Sequence, residues 1–218
     1  MAGSIHMPCP LCAGSLGRQL SAHSRRYVDC AHCRLVHLEP ALRISEAEER
    51  AEYALHRNDP ADPGYRRFLG RLAGPLVERL APGSTGLDLG SGPAPTLSVM
   101  LEELGHTVRI YDPFFAPDRA VLNDEYDFVT CTEVAEHFFE PGREFERMFS
   151  LVRPGGLLAV MTEVLGPERD FATWHYPREL SHVCFYRWET FEWLAARHRA
   201  TLSRPHPNVA FFQLASPS

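Results

Sequence analysis

Two carboxylates and an imidazole, Glu133, Glu136 and His137, crowd into the stretch CTEVAEHFF, residues 131 to 139. On a helix the positions i, i+3 and i+4 share one face, so these side chains would converge and could together bind a divalent cation or move a proton. A plainer role competes: acidic residues at a helix start meet the positive end of the dipole and cap free N–H groups. The choice depends on what positions the cluster. A second constellation stands at the front, where CPLC supplies Cys9 and Cys12 and CAHC supplies Cys30 and Cys33, with seventeen residues between the pairs. Two C-x2-C pairs so spaced set four thiolates for one tetrahedral zinc, with no coordination position left open, which predicts a structural metal. Two disulfides are the competing reading, and a reducing cytosol disfavours them.

At 218 residues and 44% hydrophobic content, the chain has room for one full-sized domain with a real core and a small appendage. A net charge of -6 and a pI near 6.0 argue against holding nucleic acid by overall field. The opening MAGSIHM carries no pattern, and Met7 is a candidate natural start. No apolar run of about 18 residues and no charged-then-apolar leader is visible, so a cytoplasmic enzyme without a membrane span is expected. Every basic residue other than His is Arg, which removes Schiff-base chemistry and any lysine base.

The domain plan that follows is a zinc ribbon over 1–40, a helical linker and lid loop over 41–64, and a main domain over 65–218. Between the Cys pairs, GSLGRQLSAHSRRYVDC has the Gly and Ser breaks and short alternation of small hairpins. Residues 41 to 58 show apolar positions at helical spacing, and NDPADPGY then breaks the pattern into a loop able to fold over a neighbouring site. YRRFLGRLAGPLVERL, opening with Tyr65, predicts a helix packed on a sheet.

STGLDLGSGPAPTLSVMLEELGHTVRIYD reads as strand, tight Gly turn, helix and second strand, half of a doubly wound α/β fold. Gly90 and Gly92 let backbone approach a ligand at the helix start, and Asp112, twenty residues after Gly92, ends the second strand where a carboxylate can hold a ribose diol. The third Gly of a dinucleotide fingerprint is missing, with Pro95 in its region. Asp88, two residues before the turn, would repel a pyrophosphate but suits a ligand carrying an ammonium and a sulfonium. That points to S-adenosylmethionine and away from NAD.

Over residues 60 to 215 the chain resembles the class I S-adenosylmethionine-dependent methyltransferases, through LDLGSGPA, IYDPF, YDFVTCTEVAEHF and LVRPGGLLAVMTE in that order. The resemblance implies a Rossmann-like sheet closed by a C-terminal antiparallel hairpin, for which ATLSRPHPNVAFFQLAS is suited. It also implies that Asp88, Gly90, Ser91 and Gly92 line the methionine side of the donor, Asp112 its ribose, Pro113 and Phe114 its adenine, and Thr132 and Glu133 the floor. Tyr65 joins the expected cofactor contacts. Only fourteen residues separate Asp112 from Asp127, fewer than the family gives its third strand and adenine loop, so a vestigial third strand is expected around Ala120 to Leu122.

EVAEH further resembles the E-x-x-E-H turn of ubiquinone-pathway O-methyltransferases and of small-RNA 3'-terminal 2'-O-methyltransferases, where it helps hold a divalent metal. In the latter a further His completes the site, and His182 before FEW stands in a comparable place. Mg2+ or Mn2+ at Glu133, Glu136, His137 and His182 is therefore one expectation, and His182, His137 and Glu136 are the candidate catalytic groups, since a near-neutral imidazole suits an acceptor proton. Trp174, His175, Tyr176 and Tyr186 are candidate acceptor contacts in the aromatic stretch FATWHYPRELSHVCFY. The function expected is O-methylation of a small molecule. RNA methylation is an alternative, since CPLC resembles the front of a 23S rRNA guanine-N1 methyltransferase family, whose second pair is Cys and His at shorter spacing. A zinc-ribbon adaptor that keeps the pocket without turnover is the non-enzyme alternative.

Overall fold

Two sheets organise the chain, and the computed structural model describes residues 4–6, 8–53 and 59–216 of it. The front sheet begins with β1 (Ser4–His6), β2 (Leu16–Ala22), β3 (Arg25–Cys30) and β4 (Val36–Leu38), each antiparallel to its predecessor. His23 and Ser24, with φ of 48° and 62°, make the two-residue turn whose twist matches a hairpin between β2 and β3. A single 3-10 turn at Pro40–Leu42 precedes α1 (Glu46–Tyr53), where Ser45 and Glu48 cap each other's backbone N–H. The helix expected over 41–58 is thus shorter at its front, and 54–58 lie outside the described residues.

The main domain follows as α2 (Pro63–Val77), β5 (Thr85–Leu89), α3 (Thr96–Glu103), β6 (Thr107–Tyr111), β7 (Tyr126–Thr132), α4 (Pro141–Ser150), β8 (Val152–Met161), β9 (Cys184–Phe185), α5 (Trp188–His198), β10 (Thr201–His206) and β11 (Val209–Gln213). Its six-stranded sheet has the order β10-β11-β8-β7-β5-β6. β5 to β8 are parallel, and β11 and β10 add the antiparallel hairpin at one edge, which is the expected α/β architecture. The continuous apolar run of β8 suits a strand covered on both faces. Leu157, Ala159 and Met161 pack with Leu69, Leu72 and Leu76 of α2 and Leu97 and Leu101 of α3. Leu158 and Val160 point the other way, into a cluster with Phe145 of α4 and Phe191 of α5.

That second cluster also takes in Tyr27, Leu35, Val36 and Leu38 from the front sheet. The front sheet is itself completed by the main domain, because β4 pairs antiparallel with β9, Val36 opposite Phe185 and His37 opposite Cys184. Sequence that small buries little apolar area alone, and here it shares a core.

The third strand expected around Ala120 to Leu122 is not formed. Those residues lie in a 3-10 turn, Arg119–Asn123, that Asp118 starts by accepting the Ala120 N–H at 2.9 Å, with Val121 buried and its carbonyl taking the Tyr126 hydroxyl at 2.7 Å. The sheet therefore ends at β6. Among the described residues no helix is long and apolar enough to cross a membrane.

Candidate active site

β5 pairs with β6 on one side and β7 on the other, and the chain reverses direction across the sheet between them, which opens a crevice at the strands' carboxyl ends. Beyond Leu89 the backbone turns at Gly90, with φ of 81° and space for a Cβ blocked by Val134 at 2.3 Å, so any side chain there would be strained and in collision. Gly92, with φ of 65°, instead faces open space, with nothing within 4 Å of where a Cβ would stand. Asp112 ties the turn to the second strand: it accepts the Gly92 N–H at 3.0 Å and those of Phe114 and Phe115 at 2.8 and 3.0 Å. Three of a carboxylate's about four acceptor positions are thereby used, and the expected ribose contact would have the remainder.

A cavity of about 570 Å³ runs from this turn to the EVAEH segment. Of the residues expected to bind a cofactor, Tyr65, Gly90, Ser91, Gly92, Asp112, Pro113, Phe114, Thr132 and Glu133 line it, and so do Glu136, His137, Tyr176 and His182. Ser91 Oγ, Thr132 Oγ1 and Glu133 Oε1 are buried without a hydrogen-bond partner among the described residues. Three such atoms around one cavity are donors and acceptors that a polar ligand there could satisfy. Asp88 does not line the cavity. It is buried beneath the turn and accepts the Thr130 hydroxyl at 2.7 Å. Burial pushes its carboxyl up to about 6, with the Thr130 hydrogen bond opposing and the Asp112 charge adding to the rise.

At the other end the expected helical face is not formed. The Glu133 N–H donates to Met161 O at 2.8 Å, continuing the ladder past β7, and Glu133 then takes a left-handed φ of 53° that redirects the chain into a 3-10 turn of only three residues, Ala135–His137. Glu133 and Glu136 consequently reach the cavity from different backbone directions. Glu136 is fully buried, accepting the Tyr176 hydroxyl at 2.5 Å and the Thr162 hydroxyl at 2.9 Å. Burial, followed by the Glu136, Glu163 and Glu179 charges, pushes the Glu133 carboxyl up to about 9.

His137 Nδ1 lies 3.2 Å from Ser181 O and His182 Nδ1 2.9 Å from Tyr176 O. Since a carbonyl only accepts, both Nδ1 atoms carry the proton and both Nε2 atoms present a lone pair when the rings are neutral. Burial lowers the His182 pKa, against the Glu136 charge, which keeps that ring neutral. Glu136, His137 and His182 each offer a ligand atom within 4.8 Å of the others, so the structure brings together three of the four groups expected at a metal, with Glu133 outside the set.

Three expected acceptor contacts stand elsewhere. Tyr186 is wholly buried, stacked on Phe191 with its hydroxyl donating to Ala135 O at 2.8 Å. Trp174 packs against Phe171 and Phe185 beneath the Arg169 guanidinium, and His175 is exposed. The cavity takes Phe138, Phe139, Arg143, Arg147 and Glu179 instead. The i,i+3 spacing of Glu179 and His182, whose Oε2 and Nε2 are 3.3 Å apart, was the one sequence signal for any of these.

The four front cysteines are free thiols gathered at one point, with Sγ atoms 3.6 Å apart in the pairs Cys9–Cys33 and Cys12–Cys30. A tetrahedral zinc with Zn–S bonds of about 2.3 Å would separate its sulfurs by about 3.8 Å, so the cluster has the dimensions of such a centre.

The family model of the methyltransferase domain matches residues 65–199. The ubiquinone biosynthesis O-methyltransferase of Colwellia psychrerythraea is 30% identical over 94 residues, 43% of this chain and 38% of that protein. Its namesake from Aeromonas salmonicida is 34% identical over 79 residues, 36% of this chain and 33% of that protein. The matched part thus spans about a third of the length of these curated relatives. Among solved structures, the 1,6-didemethyltoxoflavin-N1-methyltransferase of Burkholderia thailandensis, with bound 1,6-didemethyltoxoflavin and S-adenosylhomocysteine, has a TM-score of 0.53 over 91% of this chain and 99% of that chain at 14% identity, a likeness of fold.

Proposed function

The chain belongs to the methyltransferase-domain family, and from that premise we propose that it moves the methyl group of S-adenosylmethionine onto a hydroxyl oxygen of a small molecule. One observation carries this reading: a single cavity joins the glycine turn to the Glu136, His137 and His182 cluster, so a donor at one end and an acceptor at the other would share it. Ser91, Gly92, Thr132 and Glu133 would hold the methionine part, with the Asp88 charge beneath the turn favouring a cationic ligand, while Asp112, Pro113 and Phe114 would face the adenosine. The donor supplies an already activated methyl group, so the protein's work is alignment, exclusion of water and removal of one proton. The relatives' names, as O-methyltransferases, favour oxygen as the atom methylated.

The acceptor end fits a divalent cation at Glu136, His137 and His182, and of the two ions expected, two imidazole donors suit Mn2+ better than Mg2+. Such an ion lowers the pKa of a bound hydroxyl and neutralises the oxyanion it forms. Tyr176 and Thr162 fix the Glu136 carboxylate by hydrogen bonds, and the Ser181 and Tyr176 carbonyls fix the two imidazoles. A second, metal-free reading rests on the 3.3 Å contact of His182 Nε2 with Glu179: His182 would take the acceptor proton and Glu179 would stabilise the imidazolium. At the front, Cys9, Cys12, Cys30 and Cys33 would hold a structural zinc, which accords with a cytoplasmic setting that keeps thiols reduced.

The test supplies labelled S-adenosylmethionine with pools of hydroxylated metabolites, after chelation that leaves the ribbon zinc in place. Label is expected on oxygen of a small molecule, restored by Mn2+ and lost in Glu136→Gln. Turnover unaffected by chelation would remove the metal and leave the His182 reading. Label found on RNA alone would remove the small-molecule acceptor.

A further inference from the structure

The segment that carries Tyr176 and His182 is held on one side by its own domain, through bonds such as Val183 N–H to Glu136 O at 2.8 Å, and on the other by the front sheet. His23 Nε2 lies 2.7 Å from Trp174 O, the Arg25 guanidinium donates to Glu179 O at 3.2 Å and Leu180 O at 2.9 Å, and the Tyr27 hydroxyl reaches Pro177 O at 3.5 Å. The Leu38 N–H donates to Val183 O at 2.8 Å just before β9 joins β4. Beyond β9, Arg187 clamps the front sheet with both terminal nitrogens on the buried Asp29 carboxylate, at 3.0 and 3.2 Å, and a bond to Arg34 O at 2.6 Å. The residues making these contacts lie on β3, β4 and their turns, and the hairpin between those strands is closed at Cys30 and Cys33, where Cys30 N–H donates to Leu35 O at 2.9 Å. The opposite wall is gripped too. Gly142 N–H donates to Pro10 O at 3.1 Å, and a Cβ on Gly142 would stand 2.7 Å from Leu11 O, so the first Cys turn sits directly on the start of α4.

Among the described residues the glycine turn has no such tie: its hydrogen bonds run to Asp112 and to Tyr111 O. We propose that the front ribbon is a positioning element of the methyl-transfer site. Its β3–β4 hairpin, fixed by the four-cysteine centre, holds residues 174–187 where Tyr176 and His182 meet Glu136, and it leaves the donor end untouched. This rests on the methyl-transfer reading for its consequence in catalysis, though the mechanical coupling stands apart from it. Arg25 and Asp29 are the positioning residues, acting through backbone carbonyls and Arg187 and touching no substrate.

The experiment compares Arg25→Ala, Arg25→Lys and zinc-extracted protein with wild type by amide hydrogen exchange, S-adenosylhomocysteine titration and, once an acceptor is in hand, steady-state kinetics. Loss of two hydrogen bonds in Arg25→Ala should raise exchange across 176–185 by about tenfold, with 86–92 unchanged. Zinc content and S-adenosylhomocysteine affinity should stay as in wild type, while kcat falls about tenfold at unaltered KM for the donor and Arg25→Lys recovers part of it. Zinc extraction should give the same pattern, larger. Exchange at 176–185 that does not move in Arg25→Ala, or that rises equally at 86–92, overturns the proposal. A wild-type protein that binds no S-adenosylhomocysteine would defeat the methyl-transfer reading, and the exchange comparison would still decide the coupling.

Discussion

The two ends of the cavity are assembled from different distances along the chain. The end proposed for the donor draws mainly on Gly90 to Phe115, at the tips of two adjacent parallel strands tied together by Asp112, with Thr132 and Glu133 at the tip of the neighbouring β7. The acceptor end joins the exit of β7 to residues 176–182, and through them to residues 23–38 of another sheet. The first end is thus built mostly from short-range contacts, within about twenty-five residues of chain. Long-range construction leaves the second end open to change through contacts far from the chemistry.

Breaking the donor end at its charge should have the largest effect. Asp88→Asn keeps the size of the side chain but removes the anion beneath the turn, and S-adenosylmethionine affinity should fall about 100-fold by calorimetry. The same change should stabilise the unliganded fold. Because the folded pKa of Asp88, about 6, lies above that of an unfolded Asp, its favourable contribution is complete below about pH 4 and is lost as pH rises through 6. Above pH 7 the buried anion costs on the order of 3 kcal/mol, so Asp88→Asn should raise the melting temperature at pH 8 and leave it unchanged at pH 4.

At the acceptor end, Glu136→Gln should lower kcat about 100-fold with donor affinity within about threefold of wild type. Donor loss in that variant would merge the two ends into one unit. A milder probe is pH. Wild-type donor affinity should weaken about tenfold between pH 7 and pH 5 as Asp88 takes up its proton, and Asp88→Asn should show no such slope. Smallest is Tyr186→Phe, which removes one buried hydrogen bond at the edge of the acceptor end. A stability loss of about 1 kcal/mol in urea and unaltered turnover are expected.

What could be read in the sequence divides along the same line. Strand, glycine turn, helix and strand announce themselves by local period, and Asp112 falls at the strand end because the helix between has a usual length. The Cys pairs are equally local. The EVAEH turn was legible as chemistry but not as geometry: its three-residue form follows from the left-handed Glu133 and its bond to Met161, a partner on a neighbouring strand that no local pattern names. The missing third strand has a local cause, the Asp118 cap, whereas its expectation came from the family resemblance and from no period in the residues themselves. Tyr186 and Trp174 look like pocket aromatics in the sequence, yet they fill the seam between the sheets, and a two-residue β9 is too short for any periodicity to announce.

The account turns on which ligand the glycine turn accepts, and one calorimetric titration of the purified protein with S-adenosylhomocysteine and, separately, with NADH addresses it most directly. One equivalent of S-adenosylhomocysteine bound, with no heat from NADH, is the predicted result. Saturable NADH binding with none of the homocysteine adduct would contradict it.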